Sequence, residues 1–319
     1  MHKMQRIGDT PGSWRVRHDR IPPELVDILY SLTRKLAAKG LGPVSVARQL
    51  SSEFMLSVSP GTVRHWMVGD RKPQQRNLFK QEPSPALSYV MGANIGDGCT
   101  LTDNWIVKLE VTDFDFAETF NTNMATLFSR TRPNKILVRR RAGRLPMYIV
   151  KYSSKQLAKL LRLPLKKLLE FAVVFPRDFL RGFFDAEGHV DAGVTTRLDL
   201  RVGVENSDGK LLLRVKMLLK ELRIISRIER KREAGTVKII RGKAFVMKHA
   251  SYSVVIGRIA DVRRFAEEIG FSIQRKTQKL KDALSIMATH EARIRPEMWK
   301  RLYSKAGGEW VRRESAPFC

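Results

Sequence analysis

Two acidic residues stand at matching places in the chain. Asp97 closes the segment Val90-Met-Gly-Ala-Asn-Ile-Gly-Asp-Gly98, and Glu187, 90 residues on, closes Leu180-Arg-Gly-Phe-Phe-Asp-Ala-Glu-Gly188. Each acid follows a small residue and precedes a glycine. On a helix, Tyr89, Gly92, Ala93 and Gly96 share one face, and Phe179, Gly182, Phe183 and Ala186 share the matching face of the second segment. Small residues let two helix backbones approach closely. The acids then fall at the helix ends, with Gly98 and Gly188 expected in the left-handed conformation that ends helices. Each carboxylate there meets the negative pole of its own helix and the charge of its neighbour. Divalent cations supply the missing positive charge, and oxygen ligands suit Mg²⁺ or a similar hard ion. Two such ions about 4 Å apart can polarise phosphates, activate water and stabilise a leaving 3′ oxygen. No Ser-His-Asp or Cys-His arrangement competes for the chemistry.

Composition points the same way. The 319 residues include 59 Lys and Arg against 32 Asp and Glu, a formal charge of +27, while 43% are hydrophobic. That describes a folded protein with a polyanionic partner. At about 150 residues per domain, two or three folded units are expected. Cys99 and Cys319 cannot build a disulfide framework or a four-ligand zinc site, so a reducing compartment is expected. No stretch approaches the roughly 18 apolar residues of a membrane span, and Met1–Arg20 lacks a signal-peptide core. A soluble, cytoplasmic, nucleoid-associated monomer is the expectation.

Periodicity and punctuation divide the chain. Residues 1–20 read as a basic flexible arm whose apolar anchor is Trp14. Residues 21–72 read as a small all-α domain: Leu25, Ile28, Leu29, Leu32 and Leu36 recur at helical spacing up to Gly40, and two further segments suit a helix-turn-helix in which Ala47 and Leu50 pack on Val63 and Trp66. Pro73, Pro83 and Pro85 mark a linker over 73–85. Residues 1–83 carry 14 basic and 7 acidic side chains, leaving 45 and 25 for the remainder, so both parts are basic.

Past the linker the chain repeats. Each unit reads as helix, two strands, helix, two strands, helix, over 86–175 and 176–290, followed by a tail over 291–319. Trp105–Thr112 corresponds to Arg197–Glu205 as a strand, and Phe116–Phe128 to Lys210–Leu222 as a helix. Basic hairpins follow at Lys135–Arg141 with Met147–Tyr152, and at Arg227–Arg232 with Val237–Ile240 and Ser251–Ile256. Helices Lys155–Leu161 and Ala260–Ile269 close the units. The fold class is α+β, two pseudo-symmetric αββαββα lobes after a small helical domain.

The paired segments ending in Asp97 and Glu187 resemble the double signature of LAGLIDADG homing endonucleases, and the repeat covers about two thirds of the chain. Tyr148-Ile-Val-Lys-Tyr-Ser-Ser-Lys-Gln-Leu157 is similar to the corresponding region of archaeal, intron-encoded, single-chain members. The resemblance implies a β-saddle on DNA, one acid per lobe, double-strand cleavage across a minor groove, and Mg²⁺ with Mn²⁺ as substitute. Gly96 and Ala186 would join Asp97 and Glu187 among the metal contacts. Asp113 and Asn206 occupy strand-end positions that order water in the family, and Lys276 resembles the late basic residue of the second half. Lys108, Arg201 and Lys151 are candidates for the first-half basic partner. Val190 stands where a relative carries lysine. Asp185 reads as a capping or hinge residue, and His189 as a loop residue or a partner of the site's water.

For reading DNA, Arg130–Arg144 holds Arg130, Arg132, Lys135, Arg139, Arg140, Arg141 and Arg144 with no acid. Arg227, Arg230, Arg232 and Lys238 form the counterpart. A two-stranded ribbon fits the major groove, about 12 Å wide; phosphate contacts, Lys108, Arg201 and Lys151 among the candidates, hold register while arginines and amides at strand positions read base edges. The second helix of the helix-turn-helix offers Thr62, Arg64 and His65 to a groove; the same scaffold also suits protein binding. Because the two halves share little beyond the motif, an asymmetric site is expected. An RNA maturase acting on intron RNA, and a non-cleaving transcription regulator, are the alternative readings; two intact acids favour the nuclease.

Overall fold

The computed structural model describes residues 23–54, 56, 58–68, 80–103, 105–240 and 243–313. They fall into two compact units, one within residues 1–78 and one within 79–319. The expected arm over 1–20 and most of the expected linker over 73–85 lie outside the described residues. Among the described residues, no helix is long and apolar enough to cross a membrane.

The first unit contains α1 (Pro23–Ala38), α2 (Pro43–Phe54) and α3 (Pro60–Val68). Leu29, Leu36, Val46, Ala47, Leu50, Val63 and Trp66 form its core. Gly40 takes a positive φ of 82° just past α1, as a helix-ending glycine does. Ser59 caps α3, its Oγ accepting from the Thr62 N–H at 3.1 Å. Ile28 departs from the expected apolar stripe: it is 53% exposed, because Leu25, Leu29, Leu32 and Leu36 already span the face that meets the other helices.

In the second unit, Ser84 and Pro85 start α4 (Pro85–Gly96): the Ser84 hydroxyl accepts from the Leu87 N–H at 3.2 Å, and Pro85 sits where no N–H is needed. The linker therefore ends earlier than its prolines suggest. Ala86 to Ala93 are all buried, as suits a helix apolar on every side. The first repeat continues through β1 (Gly98–Leu101), β2 (Ile106–Val111), α5 (Phe114–Leu127), β3 (Leu137–Arg139), β4 (Met147–Ser153) and α6 (Lys155–Leu161). A further helix, α7 (Leu165–Ala172), leads into the second repeat. That repeat runs α8 (Pro176–Glu187), β5 (Gly188–Val194), β6 (Leu198–Asn206), α9 (Gly209–Glu221), β7 (Arg227–Arg232), the hairpin β8 (Val237–Ile240) and β9 (Lys243–Val246), β10 (Ser251–Ile256) and α10 (Ile259–Glu268).

The two sheets have the same antiparallel order, β1-β2-β4-β3 and β5-β6-β10-β7. The likeness extends to helix endings. Past α5, Ser129 has φ 50° and Arg130 N–H reaches Ala125 O at 2.8 Å; past α9, Arg223 has φ 57° and Ile224 N–H reaches Leu219 O at 2.9 Å. Both are the same six-residue closure, made without glycine. In β2, Val107, Leu109 and Val111 are buried while Ile106, Lys108 and Glu110 take the other face.

The expected tail over 291–319 is folded where it is described. After α11 (Gln274–Thr289), α12 (Arg295–Leu302) leads into a hairpin of β11 (Tyr303–Ala306) and β12 (Glu309–Arg312). Trp299 is fully buried and stacks on Tyr303 at 4.1 Å, and the Tyr303 hydroxyl donates to the buried Asp282 at 2.8 Å. Burying so large a ring contributes on the order of 3 kcal/mol, which the polar sequence around it conceals.

Candidate active site at the helix seam

α4 and α8 pack backbone to backbone. A Cβ added at Gly92 would overlap the Phe179 carbonyl and lie 2.8 Å from the Phe183 nitrogen; one at Gly182 would overlap the Tyr89 carbonyl and lie 2.9 Å from the Ala93 nitrogen. The contacts are reciprocal, as in a two-fold pair. One turn on, a Cβ at Gly96 would overlap Ala186 and lie 3.1 Å from Cγ of Glu187. The two acids therefore leave the seam side by side, Asp97 as the C-terminal cap of α4 and Glu187 as the last residue of α8.

The glycines after them behave differently from expectation. Gly188 is extended, with φ −82° and ψ 153°, and Gly98 has no positive φ. Each is needed for space: the chain turns back so tightly that a Cβ at Gly98 would overlap Asn94, and one at Gly188 would overlap the Phe184 carbonyl.

Desolvation raises both carboxyls above their ordinary values. For Asp97 the charge of Lys276 opposes this and Asp113 adds to it; for Glu187 the charge of Asp97 raises it further, while a hydrogen bond from Asn206 Nδ2 to Oε1 at 3.3 Å and the charge of Lys276 lower it. Lys276 is buried. Its Nζ donates to the carbonyls of Asp185 at 2.6 Å and Phe184 at 3.2 Å in the last turn of α8, the second of which also accepts the Gly188 N–H, and rests 5.4 Å from the Phe271 ring centre. Burial pulls its amine down to about 8.

The sign follows from proton binding. Between about 8 and 10.5 the unfolded chain holds a proton that the folded chain lacks, so stability rises with pH across that window. Relative to Lys276→Met, the parent protein is expected to gain about 3 kcal/mol of unfolding free energy over it, at ~1.4 kcal/mol per unit. Denaturant titrations of both proteins from pH 7 to 11 measure this, and a constant difference would reject the buried ammonium.

Asp113, at the N-terminus of α5, holds both oxygens against Arg275, at 2.7 Å to Nε and 2.8 Å to Nη2. Neighbouring Asp115 accepts the Gln274 N–H. Asp97, Asp113, Arg275 and Lys276 line one groove with Thr112 and Met147. Lys108, Lys151 and Arg201 line no part of it; the cations beside Asp97 come from α11. Arg275 carried no signal in the sequence, because its partner lies 162 residues away.

Asp185 is neither cap nor hinge. Buried at 1% exposure, it accepts from the Tyr89 hydroxyl at 2.8 Å, the Ser272 N–H at 2.8 Å and the Ser272 hydroxyl at 2.6 Å, tying α8 to α4 and to the segment before α11. Asp185 thus serves the seam. His189 lies on β5, not in a loop; its ring covers Gly203, where a Cβ would come within 2.9 Å of Nε2, and desolvation lowers its imidazole.

The basic ribbons are less bare than their composition. Glu110 takes both Lys108, at 2.9 Å, and Arg139. Arg227 pairs with Glu229 at 2.5 Å, Arg230 with Glu233 at 2.5 Å and Arg232 with Glu205 at 2.6 Å. Exposed pairs contribute little and exchange readily. Arg130 turns inward, over the Tyr152 ring and onto Asn134 Oδ1 at 2.5 Å, so it braces its hairpin. Arg132, Lys135, Arg141 and Arg201 are exposed, the last opposite Asp191 in the β5–β6 ladder; Lys238 stands opposite Phe245 in the β8–β9 hairpin. In α3, Val63 and Trp66 are buried, Arg64 is exposed, and Thr62 and His65 are half-buried.

Among the described residues, no three or more His, Cys, Asp and Glu gather into a metal-holding group. The seam offers two carboxylates with half-open surroundings. That donor set fits Mg²⁺, which keeps several waters and takes one or two carboxylates with substrate phosphates.

The LAGLIDADG-like domain family matches residues 175–270. An uncharacterized protein of Methanocaldococcus jannaschii is 30% identical over 267 residues, spanning 82% of this chain and 95% of that one. Among solved structures, I-DmoI in complex with DNA and Mn is 20% identical over 58% of this chain and 96% of its own, with a TM-score of 0.39. Full-length DUF199/WhiA from Thermatoga maritima is 16% identical over 69% of this chain and 66% of its own, with a TM-score of 0.42.

Proposed function

Because the chain belongs to the LAGLIDADG family, we propose that it is a site-specific endonuclease that hydrolyses both strands of a long, asymmetric duplex DNA with divalent cations held at Asp97 and Glu187. The observation that carries this reading is the seam itself, where reciprocal glycine contacts bring two carboxylates with raised affinity for protons to the ends of adjacent helices. Such carboxylates lack positive charge. Bound there, Mg²⁺, or Mn²⁺ in its place, supplies Lewis acidity to a scissile phosphate and an acidified water. Gly96 and Ala186 adjoin the acids and contribute backbone only.

The chain's own residues do the rest. Asn206 holds one oxygen of Glu187, leaving the other to turn outward. Lys276 offsets charge at both acids from behind α8. Asp113 acts through Arg275, whose guanidinium it aims into the groove. Neither carboxylate needs to act as nucleophile. On the sheet faces, Arg132, Lys135 and Arg141, with Arg139, Lys108, Arg201, Arg227, Arg230, Arg232 and Lys238, meet phosphates and base edges once their glutamates exchange for DNA. Arg64, flanked by Thr62 and His65, extends the footprint as a helix-turn-helix contact. Unlike lobes in one chain make a monomer with a non-palindromic site.

Selection of cleaved duplexes from a random library, with full-length protein and Mg²⁺, tests the reading. One asymmetric site cut on both strands is the expected product. Removing residues 1–80 is expected to keep the same cut while weakening binding on the order of 10²-fold through lost tethering. No cut of any duplex in Mg²⁺ or Mn²⁺ rejects the nuclease, and a palindromic site rejects the division of labour between the lobes.

A further inference from the structure

The two repeats use equivalent residues differently. In the second repeat Asn206 and Asp208 serve their own surroundings: Asn206 Nδ2 donates to Glu187 and its Oδ1 accepts from the Asp208 N–H at 2.9 Å, while Asp208 caps α9 through the N–H groups of Lys210 at 2.9 Å and Leu211 at 3.1 Å. In the first repeat Asp113 makes no side-chain cap to its own helix. Asp113 instead holds the first turn of α11 through the Arg275 side chain, and Asp115, whose Oδ1 accepts the Phe116 N–H of α5 at 3.0 Å, takes the Gln274 N–H on its other oxygen. That helix follows α10, at the end of the second lobe. Asp208, which like Asp113 stands at the N-cap of its lobe's second helix, instead has its Oδ1 committed to the N–H groups of that helix.

Donor counting shows what this docking leaves available. A guanidinium has five N–H groups in a fixed plane. Asp113 takes two, one on Nε and one on Nη2, which sets the orientation of the remaining three. An ammonium has three, and the carbonyls of Phe184 and Asp185 take two from Lys276. Three fixed donors and one more thus border the groove that Asp97 shares. Planar, oriented arginine donors match the oxygens of a phosphodiester.

We propose that Arg275, aimed by Asp113 and assisted by Lys276, is the phosphate-binding residue of the first-lobe site alone, so that the two strands of a bound duplex are held by chemically different sites. The proposal rests on the nuclease reading for its consequence in cleavage and on DNA binding for its geometry. Arg275→Ala slows the cut assigned to Asp97 and leaves the cut assigned to Glu187 at its parent rate. Arg275→Lys, which keeps the charge and loses the fork, falls between them.

The test uses full-length protein and the duplex recovered by selection, in two measurements. In Mg²⁺, strand-resolved cleavage of Arg275→Ala is expected to be roughly tenfold or more slower on one strand only, as one charge-assisted contact allows, so nicked duplex accumulates. In Ca²⁺, fluorescence anisotropy reads binding to duplexes with one neutral methylphosphonate at either central phosphate. Neutralising the phosphate at the first-lobe cut weakens the parent but not Arg275→Ala, whereas the other position weakens both alike. Equal slowing of both strands in a variant with parent melting temperature, or equal methylphosphonate losses for parent and variant, overturns the proposal. If the parent cuts neither strand, the nuclease reading fails, and the methylphosphonate comparison, made on a duplex selected for binding in Ca²⁺ with each backbone position neutralised in turn, decides the cradle by itself: one position that weakens the parent but not Arg275→Ala supports it, and none overturns it.

Discussion

Asp97→Asn and Glu187→Gln together are expected to lower double-strand cleavage in Mg²⁺ at least roughly a thousandfold, about 4 kcal/mol of barrier, with DNA binding retained. The amides keep size and hydrogen bonding but lose the charge that attracts a cation. Each single substitution is expected to leave one strand cut and the other intact. Stability separates this from misfolding. Both carboxyls are raised in the folded protein, so the stability they contribute is present while they hold protons at low pH and is lost as pH rises through their folded values. At neutral pH without metal the amides relieve that cost, and the double variant is expected to melt no lower than the parent. Added Ca²⁺ raises the melting temperature of the parent by binding only the folded form, and it should leave the double variant unmoved. Parent-like cutting by the double variant would sink the assignment of the site.

Gly92→Ala or Gly182→Ala is expected to destabilise the second unit by about 3 kcal/mol or more, at the upper end of overpacking costs. The added methyl meets backbone carbonyl and amide atoms of the opposite helix, which cannot rotate aside as a side chain would. At roughly 2–4 °C per kcal/mol for a unit of this size, the melting temperature falls by about 6–12 °C. Gly193→Ala is the control: its Cβ would meet Asp199 at an ordinary 3.6 Å, with no positive φ. Calorimetry of the three variants checks the contrast. Equal melting temperatures for all would mean that the helices do not touch where the glycines lie. Because Gly96 and Glu187 sit one turn along the same contact, the separation of the acids shifts too, and cleavage should fall in protein that remains folded.

Helices, strands and the repeat were legible because their signals are local. Apolar spacing in Leu25–Leu36, alternation in Ile106–Val111, and two acid-glycine endings need no knowledge of distant residues. The folded segment after residue 290 was not legible: Trp299, Tyr303 and Trp310 are separated by polar residues, and only their contacts with one another and with the core of the second unit bury them. The left-handed glycines were misread because a helix-ending glycine can be required by φ or by space, and composition does not distinguish these. Asp185 was misread because its three partners come from α4 and from the segment before α11.

What the sequence determines unaided is the pair of acids, the small-residue faces beneath them and the duplication that sets one against the other, since each is a matter of residue type and spacing along a single element. Tertiary structure decided which cations serve which acid. Arg275 and Lys276 reach Asp113 and the end of α8 across 162 and about ninety residues of chain, and Glu110 and Glu205 occupy Arg139 and Arg232 from other strands of their sheets. Charges act through space, with energies set by distance and by the water displaced between them, and neither quantity is carried by the order of residues.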